Sequence, residues 1–333
     1  MEIAERSRKT FYPPAERSSA SDFHPVVIKL GQEKENVMPY FEHGNLRTYY
    51  EETGKGEPII TNHGVSEDGG YWRVGGVTAA LAERYRVISM DMRCHGRTIV
   101  EKEPWGFDVD TMAEDINALA DHLKLDKFHL LSHATGGMVA ARYGMKHSDR
   151  LLSLMLTDTG SATRPVIPGM GGVEEYMQRM AEARKWLEEH PNPTEEEKTD
   201  RWISNPDVWT FTIAQRSEPE RSRMRIMMEG FDQRRLKENT ERISTVFFPS
   251  FYTDPDPHVE ELRKIKCPTL VLLGEHDIVF LASSEIMARE IPTNRHVILK
   301  GVGHMTAIEA PDETARELLF FLECVRTGIG IKR

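Results

Sequence analysis

The chain has 333 residues, which at roughly 150 residues per domain allows two domains or one large domain with an insertion. Hydrophobic residues make up 39% of the chain, which permits a sizeable core and excludes a wholly disordered protein. The net charge of −10 disfavours a general binder of nucleic acids or anionic membranes, because phosphate groups select basic surfaces. The three cysteines, Cys94, Cys267 and Cys324, form no C-x-x-C pair, so we expect a reduced, cytoplasmic protein without a zinc cluster.

The first 40 residues are polar and charged and show no sustained apolar period. We predict a surface arm over residues 1–40; the alternative is a dimerisation arm, which would make the protein a homodimer. No apolar run approaches the ~18 residues of a membrane span, and the N-terminus has no apolar signal-peptide region.

Six short, nearly continuous apolar runs from residue 58 onward predict strands that are buried on both faces of a parallel sheet. Helical patterns lie between them, such as Asp110–Leu123, whose apolar residues form one stripe. This alternation predicts an α/β fold in which a mostly parallel central sheet is flanked by helices. The predicted strands are Pro58–His63, Arg86–Asp91, Phe128–His133, Leu152–Asp158, Thr269–Glu275 and His296–Gly301, and the other core helices are Gly136–His147 and Asp312–Cys324.

Residues 161–258 interrupt this alternation, because they hold helical, charged and methionine-rich stretches without a convincing strand. Since sheet strands resume afterwards, we predict a helical cap inserted between the two halves of one sheet. The core would then comprise residues 41–160 and 259–333. The cap helices are expected at Glu174–His190, Thr194–Ile203, Glu218–Gln233 and Leu236–Thr245.

The stretch FHLLSHATGG, at residues 128–137, predicts a buried strand, a sharp turn and then a helix. This layout is typical of a nucleophile elbow. The stretch resembles the α/β-hydrolase superfamily motif, whose core reads His-Ser-x-Gly-Gly. Matching the paired glycines Gly136 and Gly137 puts the nucleophile at position 134, where this chain has alanine. Ser132 is the alternative nucleophile, although it would put those glycines out of register with the motif. Thr135 lies one residue after the nucleophile position.

The resemblance extends from about residue 45 to the C-terminus. It implies that Asp277 is the acid and His304 the base of a catalytic triad, each following a late strand in the family's chain order. Asp158, which ends another strand, is the alternative acid. The resemblance also implies that the backbone N–H groups of Val65 and Thr135 form an oxyanion hole.

Two further parts of the sequence belong to this resemblance. The turn Asn62-His63-Gly64-Val65 matches the family's His-Gly turn, and we expect Gly64 and His133 to lie against the substrate. The stretch from Asp91 to Thr98 resembles a structural turn of the family, although Cys94 stands where relatives have glycine.

Ala134 has three explanations, because a methyl group cannot attack a carbonyl carbon. The first is that the alanine is an engineered replacement of a serine, made so that the protein holds a substrate unhydrolysed. The second is that the chain is a natural, non-catalytic relative that binds a ligand. The third is chemistry that needs only His304 and the oxyanion hole; cofactor-free dioxygenases of this fold rely mainly on a His–Asp pair. The intact pair of His304 and Asp277 favours the first, because a binding protein has no chemical need for it.

The resemblance implies a serine hydrolase that forms an acyl-enzyme on a carboxylic ester or lactone. The alternative enzyme is a carbon–carbon bond hydrolase of the same fold, acting on diketones. Aromatic residues of the cap predict an apolar or aromatic substrate, and no metal or cofactor is implied. The residues expected to bind substrate there are Trp186, Trp209, Phe231 and Tyr252.

Overall fold

A computed structural model describes residues 40–161, 217–251, 258–277 and 279–328, with residues 185–186, 189–191, 194 and 197. The strands are β1 (Tyr40–His43), β2 (Leu46–Thr53), β3 (Glu57–Asn62), β4 (Tyr85–Met90), β5 (Ile99–Val100), β6 (Phe128–His133), β7 (Leu151–Thr157), β8 (Thr269–Gly274) and β9 (Asn294–Leu299). The α-helices are α1 (Tyr71–Val74), α2 (Val77–Ala82), α3 (Val109–His122), α4 (Ala134–His147), α5 (Glu218–Arg234), α6 (Lys237–Arg242), α7 (Phe248–Phe251), α8 (Leu281–Glu290), α9 (Thr306–Glu309) and α10 (Pro311–Thr327).

The strands form one mostly parallel sheet in the order β1-β2-β4-β3-β6-β7-β8-β9, with β5 paired to β2. β2 runs antiparallel to its neighbours, whereas β4, β3, β6, β7, β8 and β9 pair in parallel. All six predicted strands are present within two residues of their predicted ends, and the predicted fold class is confirmed.

The central strands bury both faces, because successive side chains of a strand point to opposite sides. Ile60, Leu130 and Leu154 belong to the apolar cluster that contains residues of α3 and α4. Their strand neighbours, such as Ile59 and Leu131, belong to a second cluster with residues of α1, α2 and α10. Burial of these two faces fixes the carboxyl ends of β3, β6, β7, β8 and β9 along one edge, where the candidate site lies.

Some predicted boundaries need correction. Tyr40, placed in the arm, begins β1, and α4 begins at Ala134, two residues before the predicted start. Within the predicted helix Leu236–Thr245, α6 ends at Arg242 and a π-helical turn follows over Ile243–Phe247. The arm before residue 40 and the cap helices Glu174–His190 and Thr194–Ile203 lie wholly or mostly outside the described residues, so the domain boundaries stay predictions.

Two further findings concern the described residues as a whole. Every helix in them is too short or too polar to cross a lipid bilayer. The three cysteines are buried and carry free thiols.

A buried ion pair attaches α3 to the loop after β4. The Arg93 guanidinium donates to both carboxylate oxygens of Asp115, at 2.6 and 2.8 Å, and the two side chains are 5% and 4% exposed. Removing one partner leaves the other charge buried and unpaired, which costs about 3–5 kcal/mol. We expect Asp115→Ala to lower the free energy of unfolding in urea by that amount. Glu323→Gln, which breaks an exposed pair with Arg326, is the control, and equal midpoints for both variants would contradict the expectation.

Candidate active site

The predicted nucleophile position lies in a strained turn between β6 and α4. Ala134, the first residue of α4, has a φ of 47°, in the left-handed region that alanine rarely adopts. Helix α4 approaches the loop after β3 closely because Gly136 has no side chain: a Cβ there would lie 2.2 Å from the His63 carbonyl oxygen. The Gly136 N–H donates to that oxygen at 3.0 Å. The turn therefore has the backbone form of a nucleophile elbow, with a methyl group at its tip.

Backbone strain is concentrated along this edge of the sheet. Of the six non-glycine residues with positive φ in the described part of the chain, four follow the carboxyl ends of parallel strands. They are Ser66 after β3, Cys94 after β4, Ala134 after β6 and Asp158 after β7. Such residues persist only where surrounding contacts hold them, and they cluster at functional sites.

The two predicted oxyanion donors lie on neighbouring segments of this edge. β3 and β6 are adjacent parallel strands in which Asn62 pairs with Ser132. The loop that carries Val65 therefore begins beside the first turn of α4, which contains Thr135. The helix dipole makes that end of α4 positive, which suits a developing oxyanion. The role of the two N–H groups as donors stays a prediction.

His63 and Gly64, in the loop after β3, make structural contacts. His63 Nε2 accepts the Met92 N–H at 3.0 Å, and His63 Nδ1 donates to the Gly64 carbonyl oxygen at 2.8 Å. The Gly64 N–H donates to Glu67 Oε2 at 2.6 Å. Glu67 thus fixes the backbone immediately before Val65. Its carboxylate also takes up the N–H of Gly64, which was expected to lie against the substrate.

The structure brings the predicted acid and base together. His304, in the loop after β9, places Nδ1 3.0 Å from Oδ2 of Asp277, in the loop after β8. Asp277 Oδ1 accepts the Phe280 N–H at 3.3 Å, and the Phe280 ring stacks on His304 at a centroid distance of 5.5 Å. Asp277 is 1% exposed and His304 is 7% exposed. A carboxylate at Nδ1 fixes the imidazole tautomer, so that Nε2 is the atom that exchanges protons.

Glu309 holds the backbone on both sides of His304. Its Oε2 accepts the Gly303 N–H at 2.8 Å, and its Oε1 accepts the Met305 N–H at 3.1 Å. This residue was not predicted, because a glutamate five positions after a histidine carries no recognisable signal. Its buried carboxylate restrains the loop that carries the predicted base.

The alternative acid, Asp158, makes other contacts. Its Oδ1 accepts the Gly274 N–H at 3.3 Å, and its Oδ2 accepts the Thr306 hydroxyl at 2.6 Å. Asp158 Oδ2 also lies 3.4 Å from His133 Nδ1. Since Asp277 contacts His304 Nδ1, the geometry favours Asp277 as the acid.

His133, expected to lie against the substrate, is fully buried, so it has no surface that a substrate could contact. Its ring stacks on Tyr71 with centroids 4.1 Å apart, and its Nε2 lies 3.4 Å from Glu67 Oε1. Burial disfavours the charged ring, but Glu67 and Asp158 outweigh burial and raise the pKa of His133 to about 9. His133 is therefore positively charged at neutral pH.

The other candidates at this edge have structural surroundings. Ser132 is an interior residue of β6 with 0% exposure, so its hydroxyl is closed to substrate. Asp91 accepts the N–H groups of Gly69 and Arg97, each at 2.8 Å, within the turn that was predicted to be structural. Cys94 adopts there the left-handed φ, 64°, that a glycine would adopt.

Two of the four cap residues expected to bind substrate are described. Phe231, on α5, is 1% exposed and packs in the apolar cluster that includes α1, so its ring belongs to the core. Trp186 stacks on His190 with ring centroids 4.5 Å apart. Trp209 and Tyr252 lie outside the described residues. Substrate binding by these residues stays a prediction.

Together, the predicted acid, base and oxyanion donors at this edge are groups that acyl transfer requires, and the nucleophile is missing. A histidine oriented by a carboxylate can accept and return a proton, and the two predicted donors would stabilise an oxyanion. Ala134 supplies no attacking atom. Within the described ranges, His, Cys, Asp and Glu side chains form no group of three that could hold a metal ion.

Several known proteins are similar to this chain over most of its length. Proline iminopeptidase of Lactobacillus helveticus is 25% identical over 292 residues, which cover 84% of this chain and 94% of the relative. Non-heme chloroperoxidase CPO-A1 of Kitasatospora aureofaciens is 29% identical over 283 residues, which cover 83% of this chain and 96% of the relative. Among solved structures, a thermophilic esterase from Thermogutta terrifontis is 27% identical, with a TM-score of 0.64, over 84% of this chain and 94% of the esterase.

A family model described as the alpha/beta hydrolase fold matches residues 57–311. The match takes in all six strands of the parallel part of the sheet, the elbow at Ala134 and the loops of Asp277 and His304. A match over most of the chain, on a sheet of this topology and with the elbow in its expected place, makes the chain a member of the α/β-hydrolase family.

Proposed function

We propose that this site is organised for acyl transfer from a carboxylic ester or lactone with an apolar body, and that the chain with Ala134 lacks the acylation step. The observation that carries the proposal is the elbow itself. Ala134 has a strained φ of 47° in a chain that also pairs His304 with Asp277. Strain of this kind costs of order 1–3 kcal/mol and persists only where surrounding contacts hold the turn.

The proposed mechanism applies when residue 134 is serine. His304 Nε2 takes the proton of the hydroxyl as its oxygen attacks the carbonyl carbon. The N–H groups of Val65 and Thr135 bind the resulting oxyanion, and the proton passes from His304 to the leaving alcohol. Water then attacks the acyl-enzyme with His304 as base, and the acid is released.

The substrate class rests on the relatives and on the cap. The similar esterase from Thermogutta terrifontis supports an ester, whereas proline iminopeptidase is named for a peptide substrate. The apolar body is proposed from the aromatic residues of the cap sequence, such as Trp209 and Tyr252, because apolar linings favour substrates with an apolar body.

A second candidate function is reversible binding of such a ligand without turnover, and Ala134 favours it. The two functions differ in what serine at position 134 restores. A binding protein that diverged from an enzyme would keep the ligand site but have lost other parts of the catalytic geometry.

Turnover of a substrate panel tests the proposal. The chain as it stands and the Ala134→Ser variant are compared on aryl esters of increasing acyl length, on lactones and on a ring-cleavage diketone. We expect the variant alone to turn over esters or lactones faster than the diketone. A preference for the diketone would favour carbon–carbon hydrolysis, and silence of both proteins with retained ligand binding would favour the binding function.

A further inference from the structure

Three buried ionisable side chains, Glu67, His133 and Asp158, have no part in the acyl-transfer steps. They are 7%, 0% and 1% exposed. The imidazole lies between the two carboxylates, with Nε2 3.4 Å from Glu67 Oε1 and Nδ1 3.4 Å from Asp158 Oδ2. These distances exceed those of short hydrogen bonds, so the attraction is mainly that of charges in a medium of low polarity.

Each carboxylate also holds the backbone or side chain of a loop at the site. Glu67 Oε2 accepts the Gly64 N–H at 2.6 Å, directly before the predicted donor Val65. Asp158 Oδ2 accepts the hydroxyl of Thr306, two residues after His304, at 2.6 Å. Asp158 Oδ1 accepts the N–H of Gly274, at the end of β8, at 3.3 Å. The loop after β3 that carries Val65, which we call the oxyanion loop, is therefore connected to the loops of the acid and base through the two carboxylates that contact His133.

Gly64 lies close to both groups: a Cβ on it would be 2.9 Å from Glu67 Oε2 and 3.0 Å from His133 Cδ2. One face of the His133 ring is covered by Tyr71, whose ring plane makes an angle of 12° with it. The electron-rich face of a tyrosine favours a cation above it.

The charged state of His133 is set by all the groups that face it. Burial disfavours the cation, and the two carboxylates reverse that preference, which gives the pKa of about 9. The groups that face the cluster are Glu67 from the loop after β3, Asp158 from the loop after β7, Tyr71 from α1 and His304 from the loop after β9, with Asp277 and Glu309 beyond them.

We propose that His133, as a buried imidazolium between Glu67 and Asp158, is a positioning residue that holds the oxyanion loop in register with the loop of His304. The proposal rests on the proposed function, because positioning matters for oxyanion binding and proton transfer at residue 134. His133 acts through Glu67 and Asp158, since its own ring is closed to substrate. Loss of the positive charge removes the attraction that holds each carboxylate to the ring, which loosens both loops.

Hydrogen exchange tests the positioning in the chain as it stands, with Ala134 present. Glu67→Gln removes the charge that faces His133 while an amide oxygen can still accept the Gly64 N–H. We expect the N–H groups of Gly64 and Val65 to exchange at least about tenfold faster in this variant. Asp158→Asn is the second variant, with the same expected direction, should Glu67→Gln not fold.

Glu57→Gln is the matched control. Glu57 contacts His129 Nε2 at 3.2 Å, at the amino end of β3. At roughly 3.3 Å per residue, Glu57 lies about 16 Å along β3 from the end of the sheet that carries the elbow. Unchanged exchange of Gly64 and Val65 in Glu67→Gln and Asp158→Asn, or an equal change in Glu57→Gln, would overturn the proposal.

The pH dependence of kcat is the second test, because a loss of stability alone would not shift the pH at which kcat falls. In the Ala134→Ser variant, we expect kcat to fall as the pH rises through about 9, where His133 loses its proton. Adding Glu67→Gln lowers the pKa of His133, so the fall should occur at a lower pH and kcat at pH 8 should drop about 10-fold to 100-fold with little change in KM. The drop is smaller than the roughly 10²–10³-fold cost of losing an oxyanion donor outright.

The two experiments separate failure of this proposal from failure of the proposed function. An Ala134→Ser variant without any hydrolysis counts against the proposed function, and hydrogen exchange then still decides whether His133 positions the loops. An active variant whose pH profile is the same with and without Glu67→Gln overturns the positioning role alone.

Discussion

Replacing Ala134 with serine is expected to raise kcat/KM for an aryl ester at least about 10³-fold over the chain as it stands, because triad enzymes lose several orders of magnitude without their nucleophile. The elbow backbone already has a φ of 47°, so the new hydroxyl enters a turn that needs no rebuilding. Stopped or continuous assays of the released phenol, with both proteins at equal concentration, give the ratio.

Two matched variants make this result interpretable. Ala134→Gly relieves the backbone strain without adding a nucleophile and should remain inactive. Ser132→Ala, made in the Ala134→Ser background, should leave the new activity within about threefold, because the Ser132 hydroxyl is buried inside β6. Activity of Ala134→Gly equal to that of Ala134→Ser would mean that the chemistry does not pass through residue 134.

The second large effect concerns Asp277. In the Ala134→Ser background, Asp277→Asn is expected to lower kcat by about 10⁴, because an amide at this position disfavours the tautomer of His304 that accepts the proton. KM should change little, since Asp277 is buried and reaches the substrate only through His304. Steady-state kinetics on the best ester of the panel measures both parameters.

The neighbouring His276 provides the control for this substitution. His276 is exposed next to Asp277, and His276→Gln should retain kcat within about twofold. Asp158→Asn tests the alternative acid: we expect it to lower kcat far less than Asp277→Asn does. The reverse order would assign the acid to Asp158 and would contradict the pairing of His304 with Asp277.

Much of the fold was predictable because its central strands are buried on both faces. Such strands have continuous apolar sequences, and FHLLSH at residues 128–133 became β6 with both ends as predicted. The antiparallel strands β1, β2 and β5 were missed, because antiparallel strands mix polar and apolar residues and the two-residue β5 has no pattern at all. The short helices α1 and α2 contain too few turns for a helical period to be recognised.

The site was predictable to the extent that the chemistry is carried by strand ends. Asp277 and His304 lie 27 residues apart, yet the parallel order of β8 and β9 brings them to within 3.0 Å. Glu67 and Glu309 were missed, because their roles depend on which backbone N–H groups the folded loops turn towards them. His133 was expected at the substrate, and only the fold reveals that its ring points into the protein between two carboxylates.

The central claim is that residue 134 is the nucleophile position of an acyl-transfer site, and covalent labelling tests it most directly. The chain and its Ala134→Ser variant are incubated with an aryl fluorophosphonate, and the adduct is quantified by intact mass and located by peptide mass spectrometry. We predict one adduct per chain in the variant, on residue 134, with slower labelling when His304 is replaced by glutamine, and none in the chain with Ala134. An unlabelled variant, or an adduct on Ser132 or Thr135, would contradict the account.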